Sequence, residues 1–124
     1  MDLRGVDDVR PLLPRPQQRG DEPVDAVRAI LADVRDRTRI FRLMNDFRPD
    51  IVFHAAALKH VPILERDWSE GVKTNIFGTI NVADASLAAG AQAMVMISTD
   101  KAIEPVSMLG LTKRFAEMYC QARD

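Results

Sequence analysis

At 124 residues the chain supports one domain around one core and is too short for two. A hydrophobic fraction of 47 %, a charged fraction of 28 % and a formal net charge of −1 describe an ordinary globular balance, with nothing to recruit nucleic acid or an anionic membrane. The single cysteine, Cys120, excludes an internal disulfide framework, and with His54 and His60 as the only histidines no metal-ligand spacing is present.

Residues 1–24 differ from the rest of the chain. They hold Pro11, Pro14, Pro16 and Pro23, four of the seven prolines, and show neither a helical nor a strand period. They read as a disordered or unrelated leader. Val6 to Leu13 is too interrupted by proline for a regular element. Order is expected from near Val24, with a single partial domain over residues 25–124. Val27 to Leu31 is a short β-leaning run.

Residues 36–47 form an amphipathic helix, because Ile40, Leu43, Met44 and Phe47 recur at i, i+3, i+4 and i+7. Asp33 or Asp36 caps it, and Pro49 takes the chain out of helix by Arg48. Ile51 to Ala57 reads as a strand apolar on both faces, as a strand between two helical layers must be. Its terminal Ala55, Ala56 and Ala57 leave the backbone open to close approach by a ligand, or else allow tight helix packing.

Residues 69–89 follow as a long helix with Val72, Ile76, Ile80, Ala83 and Leu87 on one face and Gly90 just past its end. Gly78 within it costs roughly 1 kcal/mol against alanine, which a close helix–strand contact would justify. Ala93 to Ile97 is the next strand. It stops at four polar side chains, Ser98, Thr99, Asp100 and Lys101, and a helix from about Ser107 to Gln121 buries Leu111, Phe115 and Met118.

The alternation of strands and helices predicts an α/β fold with parallel strands, and the carboxyl ends of such strands are where an open sheet places its chemistry. The Ser98–Lys101 run also suits a plain turn and helix cap. No apolar run nears the ~18 residues of a membrane span, and no signal-peptide pattern opens the chain, so a cytoplasmic location is expected.

The residues Ala32 to Asp36, Arg48 to Asp50, His54 to Pro62, Thr74 to Thr79, Ile97 to Ala102 and Leu111 to Arg114 together resemble the extended short-chain dehydrogenase/reductases. More narrowly the chain resembles the polysaccharide-biosynthesis nucleotide-sugar dehydratases, which convert UDP-N-acetylglucosamine to a 4-keto-6-deoxy sugar. The resemblance implies a bound NAD or NADP that takes a hydride and returns it, with a UDP-sugar as substrate.

It puts Asp33 and Val34 beside the adenine, Ala55, Ala56 and Ala57 along the ribose and pyrophosphate, and Lys59 near the same cofactor. Asn75 supports the strand ends within the cofactor site. Ser98 and Thr99 hydrogen-bond the substrate, Asp100 and Lys101 are acid and base of the elimination, and Lys113 holds the nicotinamide ribose. His54 receives no role. Long members of the family carry membrane helices.

Two departures qualify this. The Gly-rich turn G-x-G-x-x-G is missing, since Gly5 and Gly20 are the only glycines before Gly71 and neither lies between a strand and a helix. The expected fold is thus a partial Rossmann-like parallel sheet with flanking helices, without its first two strands or the loop. At ~4.8 Å per strand the vacancy is roughly 14 Å wide. Residues 24–47 are therefore expected to pack elsewhere, or the Val27 strand to slide in beside Ile51. The superfamily's Tyr-x-x-x-Lys also reads Leu109 four residues before Lys113, and leucine exchanges no proton.

The chain is accordingly expected to be a fragment of a 4,6-dehydratase, inactive by itself and with weak or absent NAD binding. An epimerase or reductase of the same superfamily, and a non-catalytic association module that forms homo-oligomers through an exposed sheet edge, are the competing readings. Nucleic-acid binding is disfavoured by charge and by the lack of a basic stripe.

Overall fold

The computed structural model describes residues 28–123. The leader assigned to residues 1–24 lies outside them. In chain order the elements are α1 (Arg37–Phe47), β1 (Ile51–His54), α2 (Val61–Arg66), α3 (Trp68–Gly71), a π-helical segment (Val72–Phe77), α4 (Gly78–Ala88), β2 (Ala93–Met96), a 3₁₀ turn (Asp100–Ala102) and α5 (Met108–Arg123).

β1 and β2 pair in parallel with Ile51 opposite Ala93 and His54 opposite Met96. The pairing extends one residue further, because the Ile97 amide donates to the His54 carbonyl at 2.9 Å. Parallel neighbours need a crossover, and the helical run from Trp68 to Ala88 supplies it.

α1 forms where its period predicts. The Asp36 carboxylate accepts from the Arg39 amide at 2.9 Å, which satisfies one of the orphan donors of the first turn. Arg48 ends the helix with φ 47°, and its amide donates back to the Met44 carbonyl at 2.8 Å. Ile40 is buried with Val52, Val82 and Ala85, and Ala32, Val34, Phe41 and Met44 pack against them. The core therefore lies between α1, α4 and one face of β1.

Three expectations change in the folded chain. Residues 28–31 form no strand, and β2 is the one strand paired with β1 among the described residues. The displaced pairing beside Ile51 is therefore not observed for residues 28–31, and the α1 region instead packs on α4. β1 is also shorter than expected and is covered on one face: Val52 and His54 are buried while Ile51 and Phe53 are more than half exposed. Among the described residues the helices all contribute to the same side.

The third change is in the long helix. The π segment closes each turn with one extra residue, so a stripe drawn at constant 3.6-residue spacing through Val72 and Leu87 does not stay on one side. Leu87 is 48 % exposed, and the buried positions are Thr74, Asn75, Gly78, Thr79, Asn81, Val82, Ala83, Ala85 and Ser86. These are small or amide side chains, which permit close approach. A Cβ on Gly78 would meet the Val34 side chain at 2.7 Å, so the contact that demands glycine is with the segment before α1 and not with a strand.

The same holds for α5. Leu111, Phe115 and Met118 are about half exposed, whereas Leu109, Gly110, Thr112, Lys113 and Ala116 are buried. The hydrophobic stripe is the visible one in sequence, but the buried stripe is defined by what lies under it, namely Asn75 and the end of β2. Asp84 of α4 joins the three long helices: it accepts from Tyr119 at 2.6 Å and pairs with Arg37 at 3.3 Å and Arg123 at 3.6 Å. Among the described residues no helix is long and apolar enough to cross a membrane.

Candidate functional site

The carboxyl ends of β1 and β2 lie side by side, so residues 55–60 and 97–102 leave the sheet at one edge. Ala55 is exposed, and Ala56 and Ala57 are half-buried. Asn75 holds the loop after them. Its Oδ1 accepts from the Leu58 amide at 2.8 Å, and its Nδ2 donates to the Leu58 carbonyl at 3.0 Å and to Thr112 Oγ1 at 3.0 Å. Thr112 can accept because its own proton goes to the α5 carbonyls of Met108, at 2.8 Å, or Leu109. Asn75 is wholly buried, and its amide is committed to protein partners. It acts as a brace between the β1 loop and α5 and offers nothing directly to a ligand.

His54 is the second buried group under this edge. Its Nε2 lies 2.9 Å from Thr79 Oγ1, and the single Thr79 proton is donated to the Asn75 carbonyl at 2.8 Å. His54 must then be the donor, so the ring carries a proton on Nε2. Burial, with the charge of Lys113 adding to it, pushes the His54 pKa down to about 4. In the unfolded chain the ring titrates near 6.5. The unfolded state therefore binds the proton first as pH falls, and stability drops by about 1.4 kcal/mol per pH unit between those values. Urea unfolding at pH 7 and pH 4.5 is expected to differ by on the order of 2–3 kcal/mol from this group, and His54→Gln should remove most of that slope.

On the β2 side the Thr99 hydroxyl donates to Asp100 Oδ1 at 3.1 Å and accepts from the Lys101 amide at 3.4 Å, starting the 3₁₀ turn. Asp100 and Lys101 pair loosely at 3.8 Å and both face solvent. Ser98 donates to the Glu117 carboxylate. Lys113 is buried, and its Nζ donates to the Ile97 carbonyl at 3.0 Å; burial lowers its pKa, against an opposing pull from Glu117. Thr99, Asp100, Lys101 and Lys113 are thus brought to one edge with Ser98 and Ala55 to Ala57.

Lys59 is exposed on the same loop. Asp33 and Val34 lie on the segment before α1. Arg35 contacts both Asp33 oxygens through its side chain, at 3.0 to 3.3 Å; burial raises the Asp33 pKa, but these bonds outweigh it and hold the carboxyl low. Val34 turns its side chain onto Gly78.

Several residues that build the edge are not evident from sequence. Glu117 is four residues after Lys113, the spacing of one helix face, which is a usable signal. Glu65 of α2 accepts from the Met108 amide at 2.5 Å, and Ser107 Oγ accepts from the Gly110 amide at 3.2 Å, so α5 starts with two of its orphan donors satisfied. Gly110 packs against the Lys101 carbonyl: a Cβ there would sit well inside contact distance of that oxygen, and 3.2 Å from Pro105 Cβ. Leu109, four residues before Lys113 at the position the resemblance gives to the superfamily's tyrosine, is buried.

The sequence pattern of polysaccharide biosynthesis proteins matches residues 15–124. Over 88 residues the chain is 52 % identical to the probable polysaccharide biosynthesis protein EpsC of Bacillus subtilis, covering 71 % of this chain and 15 % of that protein. Over 87 residues it is 47 % identical to an inverting UDP-N-acetylglucosamine 4,6-dehydratase of Campylobacter jejuni, covering 70 % of this chain and 25 % of the enzyme. The chain therefore spans about a quarter or less of either relative. Among solved structures, the Bordetella bronchiseptica enzyme WbmG in complex with NAD matches with a TM-score of 0.73 at 27 % identity, over 83 % of this chain and 37 % of that one. These neighbours are Rossmann-fold enzymes of the short-chain dehydrogenase/reductase type, and the β–helix–β unit of β1, the Trp68–Ala88 crossover and β2 is a partial version of that fold.

Proposed function

The chain belongs to the polysaccharide biosynthesis protein family, and from that premise we propose that residues 25–124 are the part of a nucleotide-sugar 4,6-dehydratase carrying the acid–base edge of its Rossmann domain. The observation that supports this is the meeting of Ala55 to Ala57 with Thr99, Asp100, Lys101 and Lys113 at one carboxyl edge, braced from below by Asn75. The NAD complex of the structural neighbour and the name of the UDP-N-acetylglucosamine 4,6-dehydratase relative support a dinucleotide and a nucleotide sugar as the ligand classes.

The edge fits a dinucleotide in part. Ala55, Ala56 and Ala57 leave the strand end open, with Lys59 exposed beside them and Lys113 below. Asp33 fits less well, because Arg35 already engages both its oxygens. Asn75 contributes by holding the Leu58 backbone, not by touching the cofactor. NAD, when bound, supplies the hydride acceptor and donor.

The remaining work belongs to side chains. Lys113 keeps a positive charge beneath the β2 end, where it holds the nicotinamide ribose and stabilises negative charge on a neighbouring base. Thr99 aims its lone pairs and its proton between Lys101 and Asp100 and meets the substrate hydroxyl. Asp100 and Lys101, adjacent and solvent-facing, serve as acid and base. With Leu109 buried at the tyrosine position, the proton transfer falls to that pair. An epimerase needs the hydride step without the elimination, so the Asp100–Lys101 pair favours the dehydratase.

Residues 1–124 alone carry no Gly-rich turn to cradle the pyrophosphate. We expect them to bind NAD weakly and to turn over no sugar nucleotide. Titrating NAD into the purified chain and following Trp68 fluorescence should give no saturation in the low-micromolar range. Saturation there would overturn the weak-binding part of this proposal.

A further inference from the structure

We propose that Glu117 is a positioning residue of the carboxyl edge, taking the Ser98 proton and setting the Lys113 ammonium beneath the end of β2. The proposal rests on the reading of this edge as the reacting one. Lys113 and Glu117 are four residues apart on α5 and so share a helix face. Each grips one of two consecutive residues at the end of β2. Lys113 Nζ donates to the Ile97 carbonyl at 3.0 Å, and Ser98 Oγ donates to Glu117 Oε1. Together the two contacts tie one face of α5 to consecutive residues at the strand end, in addition to the Asn75–Thr112 and Tyr119–Asp84 bonds. Arg114 stands 3.4 Å from the other Glu117 oxygen and restrains the carboxylate from turning outward.

The clamp has a chemical consequence. Ser98 has one proton, and it is committed to Glu117, so toward a sugar hydroxyl Ser98 presents lone pairs and can only accept. Lys113 has one backbone partner and is buried, which favours its neutral form, and Glu117 is the carboxylate that opposes this. The other charged or ionisable groups at this edge are Arg114, a like charge on the same helix, the solvent-facing Asp100–Lys101 pair on the 3₁₀ turn, and His54, which is neutral.

Glu117→Gln keeps the size and an oxygen for Ser98 while removing the charge. In the free 124-residue chain, NMR titration of the lysine side chains is expected to show the Lys113 amine losing its proton about one pH unit lower in this variant than in the wild type, a tenfold change in its acid constant. Ser98→Ala keeps the charge and releases one grip, and a smaller shift in the same direction is expected. Because Ser98 is exposed, this variant decides the matter if Glu117→Gln fails to fold. A Lys113 amine that titrates as in the wild type in whichever of the two variants folds overturns the proposal. These titrations contain neither NAD nor a sugar nucleotide. A failure to bind those ligands would therefore sink the dehydratase reading without touching this result.

Discussion

Gly110→Ala is expected to destabilise the chain by about 3 kcal/mol and to dislodge the Asp100–Ala102 turn. On helix propensity alone the same change should stabilise by roughly 1 kcal/mol, since Gly110 lies in the first turn of α5. The contact decides the sign. A methyl group at this position meets the Lys101 carbonyl oxygen and lies 3.1 Å from its carbon, and backbone cannot rotate out of the way as a side-chain tip can. Either α5 moves off the 3₁₀ turn or the turn moves off α5. Both separate Asp100 and Lys101 from Lys113. Urea unfolding of the two proteins side by side reads the difference, and a variant as stable as the wild type or more so would rule out the close approach.

Asn75→Leu should be comparably damaging, at about 3–5 kcal/mol, although it exchanges a polar residue for an apolar one in the interior. Asn75 lies fully buried in the π-helical segment and satisfies the amide and the carbonyl of Leu58 as well as Thr112. Leucine leaves all three without that partner, and a buried polar group left unmade costs about 1–3 kcal/mol each. The loss should be local before it is global. Hydrogen exchange is expected to show the Leu58 amide losing protection while the β1–β2 ladder keeps its own. A loss below 1 kcal/mol, or unchanged exchange at Leu58, would contradict the role given to Asn75.

How legible each element is in the sequence depends on what holds it in place. α1 is legible because its apolar residues, its aspartate cap and Pro49 all point the same way. The two strands are legible as short apolar runs, and their parallel pairing follows from the helix between them. On α5 the sequence points to the wrong face, because Leu111, Phe115 and Met118 outweigh Thr112 and Lys113 on any hydrophobic scale. The buried pair is held by specific hydrogen bonds that no scale sees. The π segment is invisible for a similar reason, since one extra residue in a turn leaves no mark in composition.

The candidate site divides in the same way. Residues that carry charge or a hydroxyl at a strand end, from Ser98 to Lys101, stand out in sequence because such groups interrupt an apolar run. The residues that place them do not stand out. Asn75 is marked by resemblance, but its partners Leu58 and Thr112 are not, and Glu117 and Gly110 each look like ordinary helix positions until the neighbouring segment is in view. His54 is the intermediate case. A histidine inside an apolar strand reads as a satisfied core residue, and its bond to Thr79 accounts for it in that way.

On the reading proposed here, a dinucleotide and a nucleotide sugar meet this chain at the carboxyl edge formed by residues 55–59 and 98–101, with Lys113 beneath it. The most direct measurement is an amide-resolved NMR titration of the 124-residue protein with NAD and then UDP-N-acetylglucosamine at millimolar concentration. Progressive shifts are expected, confined to Ala55–Ala57, Lys59, Ser98–Lys101 and Lys113, with the exposed faces of α1 and α4 unmoved. Shifts centred on those helices, or none at the strand ends at saturating ligand, would contradict the claim.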